Sequence, residues 1–219
     1  MSAIRITANI VIVAKQFNPS IIDRHWLVKN EILTEADFKE GCVFIPVLSQ
    51  VRTQQFDLIV LPEQLQFSPA SDLTKPAEVV SHKLGQIIDK LPETPYSAAG
   101  INFMWQLSPP EGDTRIVCRN LFFRHGSRLY DLFDRDDAQF GAYLSKDEMG
   151  CRLKLDIKPI IVDKGEGKAQ ALNIAFNFHR DLFPDNRLSS IHDLLERWEE
   201  AERLAGSIAK AVEEECKLS

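Results

Sequence analysis

From Ile4 to Ala14 apolar and polar residues alternate: Ile4, Ile6, Ala8, Ile10 and Ile12 fall on one face, and Arg5, Thr7 and Asn9 on the other, which turns apolar at Val11 and Val13. Period two with β-branched residues predicts a strand whose second half is buried on both sides. Asn18-Pro19-Ser20 turns the chain, and Pro19 suits a first helical position, so a helix is expected over 21–33. Thr34-Glu35-Ala36-Asp37 has the form of a capping box and starts one more short turn. Residues 42–52 and 56–61 read as two strands joined tightly at Thr53-Gln54-Gln55. Pro62 argues against a longer second strand, leaving 64–67 as a short third piece. Apolar positions at helical spacing, from Val79 and Val80 to Ile87, Ile88 and Leu91, predict a helix over 77–91 that Pro92 ends.

The stretch from Tyr96 alternates again. Ala99, Ile101, Phe103, Trp105 and Leu107 make one face, and Ala98, Gly100, Asn102, Met104 and Gln106 the other. A turn is expected at Pro109-Pro110-Glu111-Gly112-Asp113. Residues 114–133 read as a helix that Gly126 interrupts, with an extended Ile116-Val117-Cys118 as the competing reading. A short strand over 139–144 and a Lys-Asp-Glu-Met-Gly turn follow. Cys151, Leu153, Leu155 and Ile157 then alternate with Arg152, Lys154, Asp156 and Lys158, one face buried and one wet. After a turn at 163–168, Leu172, Ile174, Phe176 and Phe178 face inward, opposite Asn173, Asn177 and His179. Ser189 or Ser190 caps a long closing helix with an apolar stripe at Ile191, Leu194, Trp198, Ala201, Ala205, Ile208 and Val212.

The pattern predicts an α+β fold in a single domain over 1–219: a mostly antiparallel sheet of about six to eight strands with helices packed on one face. A partial echo organises it further. At an offset of 90, Gln16 falls on Gln106, Phe17 on Leu107 and Pro19 on Pro109. Strand, helix, antiparallel strands and helix then recur in two halves, 1–91 and 92–219, each unable to bury a face alone and sharing one sheet. The competing reading is that three matches are chance. A second echo, Ile101-Asn102-Phe103 with Phe176-Asn177-Phe178, pairs the first strand of the second half with its last and weakens the repeat.

Composition adds constraints. Thirteen Phe against three Tyr and three Trp point to a core filled with plain rings. A net charge of −6 argues against general nucleic-acid binding, which rests on clustered Lys and Arg. Cys42, Cys118, Cys151 and Cys216 form no C-x-x-C pair and have no His at ligand spacing, which argues against zinc and for free thiols in a reducing compartment. The first residues lack the pattern of a signal peptide, and no apolar run approaches the roughly 20 residues of a membrane helix. A cytoplasmic protein is expected.

Candidate chemistry is sparse. Gly165-x-Gly167-Lys168 lacks the phosphate-loop spacing and joins two strands, so it reads as a hairpin turn. Asp131, Asp134, Asp136 and Asp137 lack the Gly and final Glu of a calcium loop and read as a solvated turn beside Arg128 and Arg135. No G-x-S-x-G or H-E-x-x-H occurs, and the five His are scattered. No catalytic residue, metal ligand or cofactor is assigned. These exclusions favour a non-catalytic protein-binding or assembly module, self-associating as a homodimer through its long last helix. The alternative is an enzyme or small-ligand-binding protein with its site on the face of Asn102, Asn177 and His179, where amides on a covered face would need partners. A further alternative is anion or nucleic-acid binding through Arg115, Arg119, Arg124 and Arg128.

Overall fold

The computed structural model describes residues 2–108, 113–163, 165 and 167–218. The turn expected from Pro109 lies outside them except for Asp113, as do Lys164 and Glu166 of the later turn. Nine strands form one open antiparallel sheet. They are β1 Ala3–Ala14, β2 Val43–Ile45, β3 Leu48–Arg52, β4 Phe56–Val60, β5 Gln64–Pro69, β6 Tyr96–Leu107, β7 Ala142–Glu148, β8 Cys151–Asp163 and β9 Lys168–Asp181. Their spatial order is β2-β3-β4-β5-β1-β6-β9-β8-β7. The sheet is thus centred on a seam between β1 and β6, which pair from Ala3 opposite Leu107 to Ala14 opposite Tyr96. Each seam strand has next to it the strand that comes last before its closing helices, β5 beside β1 and β9 beside β6.

Helices cover one face. They are α1 Arg24–Lys29, α2 Pro76–Val79 and α3 Gly85–Asp89 with a π segment Val80–Leu84 between them, α4 Thr114–Phe122, α5 Arg128–Asp131, α6 Arg187–Glu196 and α7 Trp198–Leu218. The apolar sides of the strands point at them: Ile10 and Ile12 of β1, Leu65 and Phe67 of β5, Ile101 and Phe103 of β6, and Ile174, Phe176 and Phe178 of β9 are buried. Trp198, fully buried, meets Phe103 at 5.0 Å between ring centroids, and Trp105 stands edge-on to Phe176 at 5.4 Å. Such edge-to-face pairs add about 0.5–1.5 kcal/mol each beyond the area they bury. Trp198, Ala201, Ala205 and Ala209 are all buried, so the stripe of α7 is used on its own sheet.

Several local features differ from the sequence pattern. Ile4 and Ile6 do not share the face of Ile10 and Ile12. The register with β6 shifts between Arg5 and Thr7, leaving Ile6 as an extra residue, and Ile4 and Ile6 stand exposed on the uncovered side. The stretch 42–52 is two strands because Pro46-Val47 makes a tight turn. Gln64–Pro69, expected as a fragment, is a full strand next to the centre. The first helix is only Arg24–Lys29, capped by Asp23, whose Oδ1 accepts from the Trp26 N–H at 2.7 Å. Residues 114–133 hold two helices, and Gly126 sits between them at φ +74°. The strand expected over 139–144 is β7, running on to Glu148, with Met149 and Gly150 both at positive φ in the hairpin turn. The last helix is interrupted at Arg197 and starts after Asn186.

The helical layer is pinned to the sheet by named bonds. Arg180, on β9, donates to Asp193 of α6 at 2.6 Å, to the Ser190 carbonyl at 3.1 Å and to the Met149 carbonyl at 3.0 Å. Arg197 donates to the same carboxylate at 3.1 Å. Gln170 Oε1 accepts from both the N–H and the hydroxyl of Thr114 at the start of α4. Lys83, in the π segment, donates to the Ile32 carbonyl at 2.6 Å.

The Arg197 and Arg180 guanidiniums hold the Asp193 carboxyl below the usual carboxylate value. A group depressed in the folded state stabilises the fold above its unfolded value and loses that contribution as pH falls through the folded one. We predict that wild-type stability declines more steeply than that of Asp193→Asn as pH falls from about 5 to about 2, read from urea midpoints. Parallel declines would show that this ion pair does not anchor α6.

Candidate functional site

The uncovered face carries the polar sides of the strands. At its centre Asn9, Asn102 and Asn177 lie in register across β1, β6 and β9. Their side chains bond in one direction. Asn177 Nδ2 donates to Asn102 Oδ1 at 2.7 Å, and Asn102 Nδ2 donates to Asn9 Oδ1 at 2.9 Å. Amides in neighbouring strands can form such a ladder because directly opposed side chains lie about 5 Å apart. The orientation leaves a carbonyl at the Asn177 end, where Lys154 is the next residue in register, and an NH₂ at the Asn9 end. Among the described residues neither of these terminal groups has a hydrogen-bond partner.

Gly100 makes room for the ladder. A methyl group built there would meet Asn177 Nδ2 at 3.1 Å and the Phe178 carbonyl at 3.3 Å. A shallow depression of about 280 Å³ opens beside the amides, lined by Thr7, Met104, Lys154, Asp156 and Ala175 as well as Asn102 and Asn177. Two rows away, Asn173 is opposite Gln106 and Lys158. It is buried, and its Oδ1 has no partner.

Of the three residues singled out by sequence, Asn102 and Asn177 are brought together. His179 is opposite Gly100 and Arg152, one row along, and its Nε2 faces Asp181 Oδ1 at 3.1 Å instead of the amides. Asn9 was missed. Its signal was present, since it falls on the polar side of β1, but the antiparallel register that sets it opposite Asn102 is a long-range fact.

A second concavity of about 460 Å³ lies where β5 leaves β1. Pairing between these strands is confined to Ile10–Val13 with Gln64–Phe67. Continuing that register would put Pro69 opposite Ala8, and proline has no N–H to offer. The chain then turns off through Ala70 and Ser71 toward α2. Arg5–Asn9 are left without a strand on that side, and the space is lined by Thr7, Asn9, Gln66, Ser68, Ser71 and Pro76, among others, with buried Trp198 closing its inner end.

Several charged and nucleophilic groups elsewhere are engaged or shielded. Arg115 is bound to Asp113, whose carboxyl it holds down at about 2. Arg119 pairs with Asp134 and lies over the Phe123 ring at 4.6 Å. Burial pushes the Cys118 thiol up to about 12 and raises those of Cys151 and Cys216. No helix among the described residues is long and apolar enough to cross a membrane. No family model, curated protein or solved structure matches the chain.

The unpaired Asn173 oxygen generates a direct test. A buried acceptor without a partner costs about 1–3 kcal/mol, and an apolar group of similar shape removes that cost. Asn173→Leu should therefore raise the unfolding free energy by about 1 kcal/mol in urea titration. A loss of stability would mean that this amide is bonded in solution.

Proposed function

We propose that the protein is a non-catalytic binding module that recognises another protein chain with the uncovered face of its sheet. The observation that carries this reading is the face itself: a nine-stranded sheet left bare on one side, with amides and hydroxyls at its centre and exposed Ile4, Ile6 and Val13 around them. Exposed apolar residues within a polar surround are a common composition of a recognition surface. The raised cysteines favour thiols over reactive thiolates. All four are free, which suits the cytoplasm.

A small-ligand site at the amide ladder is the weaker reading. The depression there is about 280 Å³ and shallow, below the usual range of about 300–1,000 Å³ for enclosed ligand sites. Anion binding through the arginines of α4 is weaker too, because Arg115 and Arg119 already have carboxylate partners. Homodimerisation through α7 loses support from the burial of its apolar stripe against its own sheet.

The test is affinity capture from a lysate of the source cells, using wild type beside an Ile4→Glu/Val13→Glu double variant. Both positions are exposed, so the fold should survive, as circular dichroism can check. Proteins retained by wild type should be lost from the variant by at least tenfold. Retention indifferent to both substitutions would overturn the reading.

A further inference from the structure

The space beside Arg5–Asn9 is an edge inside a sheet. Ala14 donates its N–H to Glu63 on the β5 side, while Lys15 donates to Pro95 on the β6 side. Alternation along an antiparallel ladder then turns the N–H and carbonyl of Ala8 toward the β5 side as well. Pro69, which would stand there, cannot donate. Beyond the bulge the outward sequence resumes at Ala3, whose N–H is taken by Glu213 Oε2 at 3.0 Å. Between those two points the backbone of β1 has, among the described residues, no strand paired on its β5 side. Unpaired strand edges are templates for another chain, and proteins that do not use them cover or charge them. This one is neither: Arg5, the charge present, is paired with Glu202 of α7.

The walls state what would fit. The added strand would continue the line of β5 and alternate its side chains between the two faces. Those turned inward meet Ala8, Pro76, the closed end at Trp198 and the Arg5 side chain, whose charge Glu202 already matches, so small uncharged groups fit there. Those turned outward meet the hydroxyls of Thr7 and Ser68, the Gln66 amide and the donor end of the asparagine ladder at Asn9. Seating a charge among these neutral groups would cost desolvation without a counter-ion. An acceptor beside Asn9 would complete the ladder.

We propose that Arg5–Asn9 of β1 captures an extended segment of a partner protein as an added strand, with the segment uncharged at its centre, small on its inner side and bearing a hydrogen-bond acceptor opposite Asn9. The volume suits about four or five residues, or about 13–17 Å of strand. Main-chain hydrogen bonds supply affinity, and the alternate side chains supply selectivity. This rests on the reading of the protein as a binding module and specifies how it would engage its partner.

The probe is a displayed library of random seven-residue peptides, selected on the immobilised full chain against an unrelated protein as control. Enriched peptides are then synthesised with and without N-methylation at alternate residues. Ala8→Pro removes the outward N–H and leaves pairing with β6 intact, since proline is tolerated where no ladder bond is made. Ser71→Trp, at an exposed position, fills the space from its side and serves as an independent second variant. The expected result is enrichment of proline-free peptides whose binding shifts the backbone amides of Arg5–Asn9 in NMR spectra. It should fall at least tenfold on N-methylation in one alternate set, on Ala8→Pro and on Ser71→Trp. Enrichment no greater than on the control protein overturns the proposal. So do peptides that bind both variants like wild type; if Ile4→Glu/Val13→Glu abolishes such binding, the uncovered face remains the recognition surface and only strand addition is lost.

Discussion

A sheet covered on one side must satisfy its two faces by different means, and the rest of this molecule follows from that constraint. On the covered side the solution is apolar. Rings from β6 and β9 interlock under Trp198, and helices seal the layer. On the bare side no helix supplies partners, so the strands supply them to each other. The asparagine ladder is the central instance: two hydrogen bonds between side-chain amides span three strands.

The same constraint explains where pairing stops. Strands β1 and β6 run side by side for eleven paired positions, far longer than β1 with β5. Pro69 ends the shorter partnership, and the bulge at Ile6 turns two large apolar residues outward close by. The bulge at Ile6 and the end of β5 pairing thus fall near each other and near the ladder. A second register shift falls at the other end of the β1–β6 ladder, between Val13 and Ala14, and the ladders of the remaining strand pairs run without one.

Much of the architecture was legible in the alternation of residues. The inner faces of β6, β8 and β9 and the stripe of α7 were read residue by residue, because period two and period 3.6 are local properties. What escaped was either a one-residue insertion or a long-range register. Ile6 breaks the phase of β1 without any Gly or Pro to announce it. Gln64–Pro69 was read only as a short piece over 64–67 after Pro62, and its place beside β1 is set by long-range pairing. The direction of the amide ladder, and the place of Asn9 in it, depend on which strands become neighbours. Pairing of Asn102 with Asn177 was foreseeable only because the two share a local motif, Asn between two aromatic or branched residues. His179 was grouped with them by face alone, and face does not fix the row.

The beginning of β1 is held by the end of the chain: Ala3 by Glu213 and Arg5 by Glu202, the first of these across 210 positions. Since β1 precedes α7 along the chain, this end of the central strand stays unsecured in synthesis until α7 has been made. Loop closure over such a distance is slow relative to local hairpins. A nascent chain stopped short of α7 would leave the Ala3–Arg5 end of the central strand unsecured on its β5 side, open to another extended polypeptide nearby. Glu202 and Glu213 of α7 thus set when this end of the strand ceases to be adhesive, and the short stretch they leave uncovered is what remains of that early state.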